Sequence, residues 1–99
     1  MIIVEPQDQE ATSGSMVRLD CMSEGVPDPL VVWTHSDGKP VYQDSVVSVE
    51  KNGSLLFAPA DGTHEGQYTC WAVNSAGVTQ KQAHLRVMAR RGENELLSH

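Results

Sequence analysis

Two cysteines constrain this chain more than any other feature: Cys21 and Cys70, 49 positions apart and the only two present. No His or Cys stands beside either one at the spacing of a zinc ligand, so the pair reads poorly as a metal site. Two alternatives are left open: buried free thiols in a reducing compartment, or a long-loop disulfide in an oxidising one. A bridge closing a loop of that length stabilises by about 4 kcal/mol on chain-entropy grounds. That is comparable to the net stability of a small domain. The matter weighs heavily here because 99 residues, 39% of them apolar, make one domain with a modest core.

Charge and hydropathy exclude several classes of function. The formal net charge is −6, and the seven Lys and Arg are scattered rather than clustered. Nucleic acid demands a basic stripe, so it is excluded as a partner. No run of 18 or more apolar residues is present, so no direct membrane insertion is expected in this segment. No charged-then-apolar leader opens the chain, which therefore reads as an excerpt of something larger.

Along the chain the periodicity is that of strands. "MVRLDC" places Val17, Leu19 and Cys21 on one face. "LVVWTH" is β-branched and aromatic, bounded by "GVPDP" and "SDGKP". "VVSV" and "SLLFA" flank Asn52-Gly53, a hairpin turn signal because both residues tolerate positive φ. "QYTCWAV" and "VTQKQAHLRV" flank the short loop "NSAG". No stretch longer than one turn is helical in pattern; the one candidate turn is "ADGTHEG", with Asp61 as its cap. Short strands with turn signals every eight to twelve residues predict an all-β sandwich.

The spacing of particular residues then resembles a known family. Trp33 follows Cys21 by twelve residues, and Tyr68 precedes Cys70 by two, as in the immunoglobulin superfamily. Gly14-x-x-Val17-x-Leu19-x-Cys21, Gly25-x-Pro27-x-Pro29-x-Val31-x-Trp33, Leu55-x-Phe57 and Gly66-x-Tyr68-x-Cys70-x-Ala72-x-Asn74-x-x-Gly77 are similar to its intermediate, or I-set, type. The resemblance covers roughly residues 2 to 88. It implies an immunoglobulin-like Greek-key sandwich of two antiparallel sheets with one inter-sheet disulfide, Cys21–Cys70. Domain bounds of 1–88 follow, with 89–99 ("ARRGENELLSH") as a flexible tail or interdomain linker.

Physical roles for the matched residues can be argued separately. Sheets packed about 10 Å apart need large side chains between them. Trp33 would fill that space against the bridge, with Leu19, Leu55, Phe57, Leu85 and the ring of Tyr68 completing the core. The Tyr68 hydroxyl would bond backbone at the preceding turn. Gly66 would serve a sharp turn into its strand, and Gly77 would close a hairpin. The chain also departs from the family. Where that family has an aspartate, six residues before the second cysteine, this chain has His64, which puts the usual ion pair to a basic residue in doubt; a replacement pair there would depend on pH, and a solvated turn histidine is the expectation. Ala60 stands where a larger aliphatic is customary.

Strand alternation leaves one tryptophan facing outward. If Tyr68, Cys70 and Ala72 point inward, then Thr69, Trp71 and Val73 point out. Val32 and Thr34 share that direction on one neighbouring strand, as do Gln82, His84 and Arg86 on the other. Trp71, Val73 and Val32, edged by Thr34, His84 and Arg86, form an apolar centre with a polar rim, the composition of a protein-binding patch. The competing reading has Trp71 lying over its own sheet.

"NGS" at Asn52–Ser54 is an acceptor triplet for N-glycosylation. No catalytic constellation is present: His35, His64, His84 and His99 are dispersed, no strained nucleophile elbow occurs, and no glycine-rich phosphate loop is found. The chain is read as a non-enzyme without cofactors. Its expected function is extracellular or cell-surface protein recognition, within a larger multidomain protein whose neighbouring domains it also touches. Two alternatives stand beside it, a passive extracellular spacer and an intracellular muscle-filament scaffold domain.

Overall fold

A computed structural model describes residues 1–41 and 44–89 of the chain. Among the described residues there are nine strands: β1 (Ile2–Val4), β2 (Gln9–Thr12), β3 (Val17–Leu19), β4 (Met22–Ser23), β5 (Leu30–His35), β6 (Val47–Val49), β7 (Leu55–Phe57), β8 (Gly66–Asn74) and β9 (Gly77–Met88). One 3₁₀ turn, Gly62–His64, precedes β8. The strands order as β2-β9-β8-β5 in one sheet and β3-β7-β6 in another, with β1-β4 as a separate pair. All pairs are antiparallel except β2 with β9, which run parallel.

The sequence reading places no strand before Met16, and the structure puts two there. Pro6, which is buried, lies between them. Proline has no N–H to donate to a ladder, and at this break the chain passes from pairing with β4 to pairing with β9.

The alternating apolar residues meet between the sheets. Val17, Leu19, Cys21, Leu55 and Phe57 come from one side, and Trp33, Tyr68, Cys70 and Leu85 from the other; all are buried. A disulfide joins Cys21 to Cys70, with Cα atoms 6.6 Å apart. Trp33 sits directly opposite Cys70 across the β5–β8 ladder and is wholly buried. Its indole N–H donates to the Gly53 carbonyl at 2.7 Å. Gly53 has φ +100°, and a Cβ there would meet the Cys21 carbonyl oxygen at 2.5 Å. Only glycine fits the β6–β7 turn at that point.

The turn before β8 forms as expected but is built differently. The Asp61 carboxylate accepts from the Thr63 N–H, capping the 3₁₀ turn. His64 is not a solvated histidine: it is only 5% exposed. Its Nδ1 accepts from the Asp61 N–H at 2.9 Å, completing a capping box, and Nε2 lies 2.7 Å from Asp44 Oδ2. With Nδ1 an acceptor, Nε2 carries the proton and donates to Asp44. His64 and Asp44 thus form the polar clasp at this end of the sandwich, with the acid on the opposite partner from the family pattern. The Asp44 carboxyl is held below its ordinary value, first by the Val46 N–H and then by His64. The Tyr68 hydroxyl donates to the His64 carbonyl at 2.5 Å, the expected bond back to the turn. Burial, helped by nearby Asp44, pushes the Tyr68 phenol up to about 12.

Candidate protein-binding face

The outer side of the β9-β8-β5 sheet is organised in rows, because directly paired residues of antiparallel strands share a face. Val32, Trp71 and Gln80 make one row, and Thr34, Thr69 and Gln82 the next. On the other side of Trp71 the row is Leu30, Val73 and Val78. That third row is the most open, with Leu30 67%, Val73 37% and Val78 57% exposed. Leu30 and Val78 were not among the residues expected from sequence.

Trp71 itself is half-buried rather than proud of the surface. Its indole N–H donates to the Thr34 hydroxyl at 3.0 Å, a diagonal bond across one row. Thr69 faces outward in register yet is only 2% exposed, flanked across the strands by Thr34 and Gln82. The sheet is therefore covered at Thr69 and Trp71 and opens toward Val73 and Val78.

The structure brings Val32, Thr34, Trp71 and Val73 together, and sets His84 and Arg86 apart from them. Along β9, His84 lies two residues beyond Gln82 of the Thr34 row, about 7 Å at strand rise, and four beyond Gln80 of the Trp71 row; Arg86 lies four and six beyond them, about 13 and 20 Å. Asp8 Oδ1 accepts from the His84 N–H at 2.8 Å, and Arg86 reaches Glu10 at 3.9 Å. With Asp8 and Glu10 they form a separate, charged end of the face.

The apolar row runs to the tip of the β8–β9 hairpin. Asn74 fixes that tip: its Oδ1 accepts from the Ala76 N–H and its Nδ2 donates to the Pro27 carbonyl, both at 2.9 Å. A shallow groove of about 470 Å³ opens there, lined by Met1, Val26, Pro29, Ala76 and Val78 among others. Val26 is among the large exposed apolar residues. Among the described residues no three His, Cys, Asp or Glu side chains are placed to hold a metal. His35 and His64 both adjoin Tyr68, whose ring centroid is 5.0 Å from that of His35. His99 and the segment read as a tail lie outside the described residues, except Ala89.

The model of the immunoglobulin I-set domain matches residues 1–87. The chain belongs to the immunoglobulin I-set family. It is 39% identical over 92 residues to the smooth-muscle myosin light chain kinase of Gallus gallus, covering 87% of this chain and 5% of that protein. The first six curated relatives are all far longer, and this I-set chain spans 2% to 6% of their lengths. It superposes on an immunoglobulin domain in the titin M10–obscurin-like 1 complex with a TM-score of 0.83 at 29% identity, covering 91% of this chain and 94% of that one. It also matches Drosophila OTK extracellular domains 3–5, with a TM-score of 0.77 at 28% identity over 90% of this chain and 30% of that one. Members of the family thus occur both in muscle proteins and in extracellular ones.

Proposed function

We propose that this I-set domain is a non-enzymatic protein-recognition module, binding a like or unlike protein through the apolar end of its β9-β8-β5 face. The observation that carries this reading is the row Leu30–Val73–Val78, in register across three strands and open to solvent beside the half-buried Trp71. An aromatic anchor bordered by exposed aliphatics and a polar margin has the make-up of an interface centre. Thr34 holds the Trp71 ring in place before any partner arrives, which lowers the entropy lost on binding. The proposed interface includes Val32, Thr34, Trp71 and Val73 and extends to Val78. His84 and Arg86 fall at the far, charged end and form at most a second contact. The setting proposed is an extracellular or cell-surface protein with further domains on the same chain.

Sedimentation velocity across a wide concentration range, with Trp71→Ser and Val78→Ser alongside, tests for a second copy as the partner. Dimers lost in both variants establish self-association through this end of the face. Monomers throughout exclude it, leaving an unlike partner; dimers unaffected by either variant contradict the reading. The same chain bearing neither partner nor contact at this face would be a spacer.

A further inference from the structure

The β6–β7 turn carries the only Asn-x-Ser/Thr triplet in the sequence, Asn52-Gly53-Ser54. Asn52 is exposed at the tip of the turn. Its Oδ1 accepts from the Ser54 N–H at 2.9 Å, which fixes the side chain by its oxygen and lets the amide nitrogen carry a substituent in the folded turn. Gly53 is packed inward, where a Cβ would lie 3.3 Å from both γ-methyls of Val31. The turn tip is thereby pressed against β5. Between them runs a groove of about 310 Å³ whose wall sets Pro29, Leu30 and Val31 on one side and Glu50, Lys51 and Asn52 on the other. Among the described residues β5 is the last strand of its sheet, and it reads Leu-Val-Val-Trp-Thr-His, without a single Asp, Glu, Lys, Arg or Pro. Its far end is bridged at Thr34 to Pro40, which leaves the Leu30–Val31 end of the edge beside the turn. Strand edges of that kind are ordinarily charged, bulged or covered.

We propose that Asn52 is an N-glycosylation site and that the first sugar lies in this groove, over Leu30. The occupant is chosen by covalent anchoring, since the acceptor asparagine is itself part of the groove wall. The C–H face of a pyranose suits Pro29, Leu30 and Val31, while its hydroxyls stay in water. In the transfer, Asn52 Nδ2 attacks C1 of a lipid-linked oligosaccharide pyrophosphate. The N–C1 bond forms, the C1–O bond breaks, the electron pair leaves with the polyprenyl pyrophosphate, and the Nδ2 proton passes to a carboxylate base of the transferase. Ser54 is fully buried in the fold and its hydroxyl donates to Asp20 Oδ1 at 3.2 Å, so transfer precedes closure of this turn. A sugar seated there covers Leu30, the β5 end of the proposed binding row, and leaves Trp71, Val73 and Val78 uncovered.

The test is secretion of the chain from mammalian cells behind a leader, followed by intact mass before and after peptide N-glycosidase. Asn52→Asp keeps the Oδ1 acceptor, is the same product that the enzyme leaves, and serves as the sugar-free control. The expected result is a glycan on the wild-type chain and none on the variant. Removing it lowers Tm by about 4 °C, a shift readily resolved in a domain of this size. Leu30→Ser erases the difference between the two forms. An unglycosylated secreted chain overturns the site. A Tm that ignores glycan removal, or a difference that survives Leu30→Ser, overturns the seat in the groove.

Discussion

The two tryptophans occupy neighbouring strands of one sheet and adjacent rungs of one ladder, yet their surroundings are opposite. Trp33 pairs with Cys70 and faces the core, its N–H held by the backbone of Gly53. Trp71 pairs with Val32 and faces outward, its N–H held by the side chain of Thr34. One ring is fixed by parts of the fold that cannot be exchanged, a disulfide and a glycine with positive φ. The other rests on a single hydroxyl that could be replaced without touching the core. The period of two decides which way each ring points. What fixes the ring then decides whether it serves stability or contact.

The contrast can be broken by mutation, and the largest expected effect is at the inner ring. Trp33→Ala should cost about 3–5 kcal/mol in urea unfolding, against about 1 kcal/mol for Trp71→Ala. Equal costs for the two would end the comparison. Gly53→Ala comes next, at about 2 kcal/mol or more, since it combines positive φ with a clash into the Cys21 carbonyl.

Tyr68→Phe should cost about 1–2 kcal/mol by leaving the His64 carbonyl without its donor. It should also flatten the alkaline limb of stability. Folded Tyr68 keeps its proton up to about pH 12, whereas the unfolded phenol loses it near 10. Between those values the folded state binds more protons, so stability falls as pH rises, by roughly 2–3 kcal/mol across the window. Thermal melts at stepped pH read this directly.

At the acid end the sign reverses. The lowered Asp44 value means its contribution is present above its ordinary value near 3.8 and lost as pH falls through the lowered one. Asp44→Asn should remove that part of the acid limb in a circular-dichroism titration. The smallest effect is confined to the outer ring: Thr34→Val should cost about 0.5–1 kcal/mol and shift the emission of Trp71 while leaving Trp33 unmoved.

Much of the architecture was legible because it rests on local pattern. Alternation located β5 through β9, and the spacing of Cys21, Trp33, Tyr68 and Cys70 pointed to the sandwich. The strands at Ile2–Val4 and Gln9–Thr12 were not legible. They are three and four residues long, and the second is polar and held by a parallel partner more than seventy positions away. The buried setting of His64 escapes the sequence pattern for a related reason: Asp44, which accepts from it, lies twenty residues upstream in a turn with no periodicity. Leu30 and Val78 were within reach, since the parity that turns Val32 and Gln82 outward turns them outward as well. His84 and Arg86 share that parity too, but parity gives direction and not distance along a strand. Only the register separates them from Trp71.

The proposed binding end of the face is tested most directly by site-specific photocrosslinking of this domain in the cells that express it, with the photoreactive residue at Val78 in one sample and at Arg86 in another. Binding through the apolar end predicts a discrete protein adduct from Val78, lost when Trp71→Ser is added, and little or none from Arg86. Adducts from Arg86 alone, or a Val78 adduct indifferent to Trp71, would contradict it.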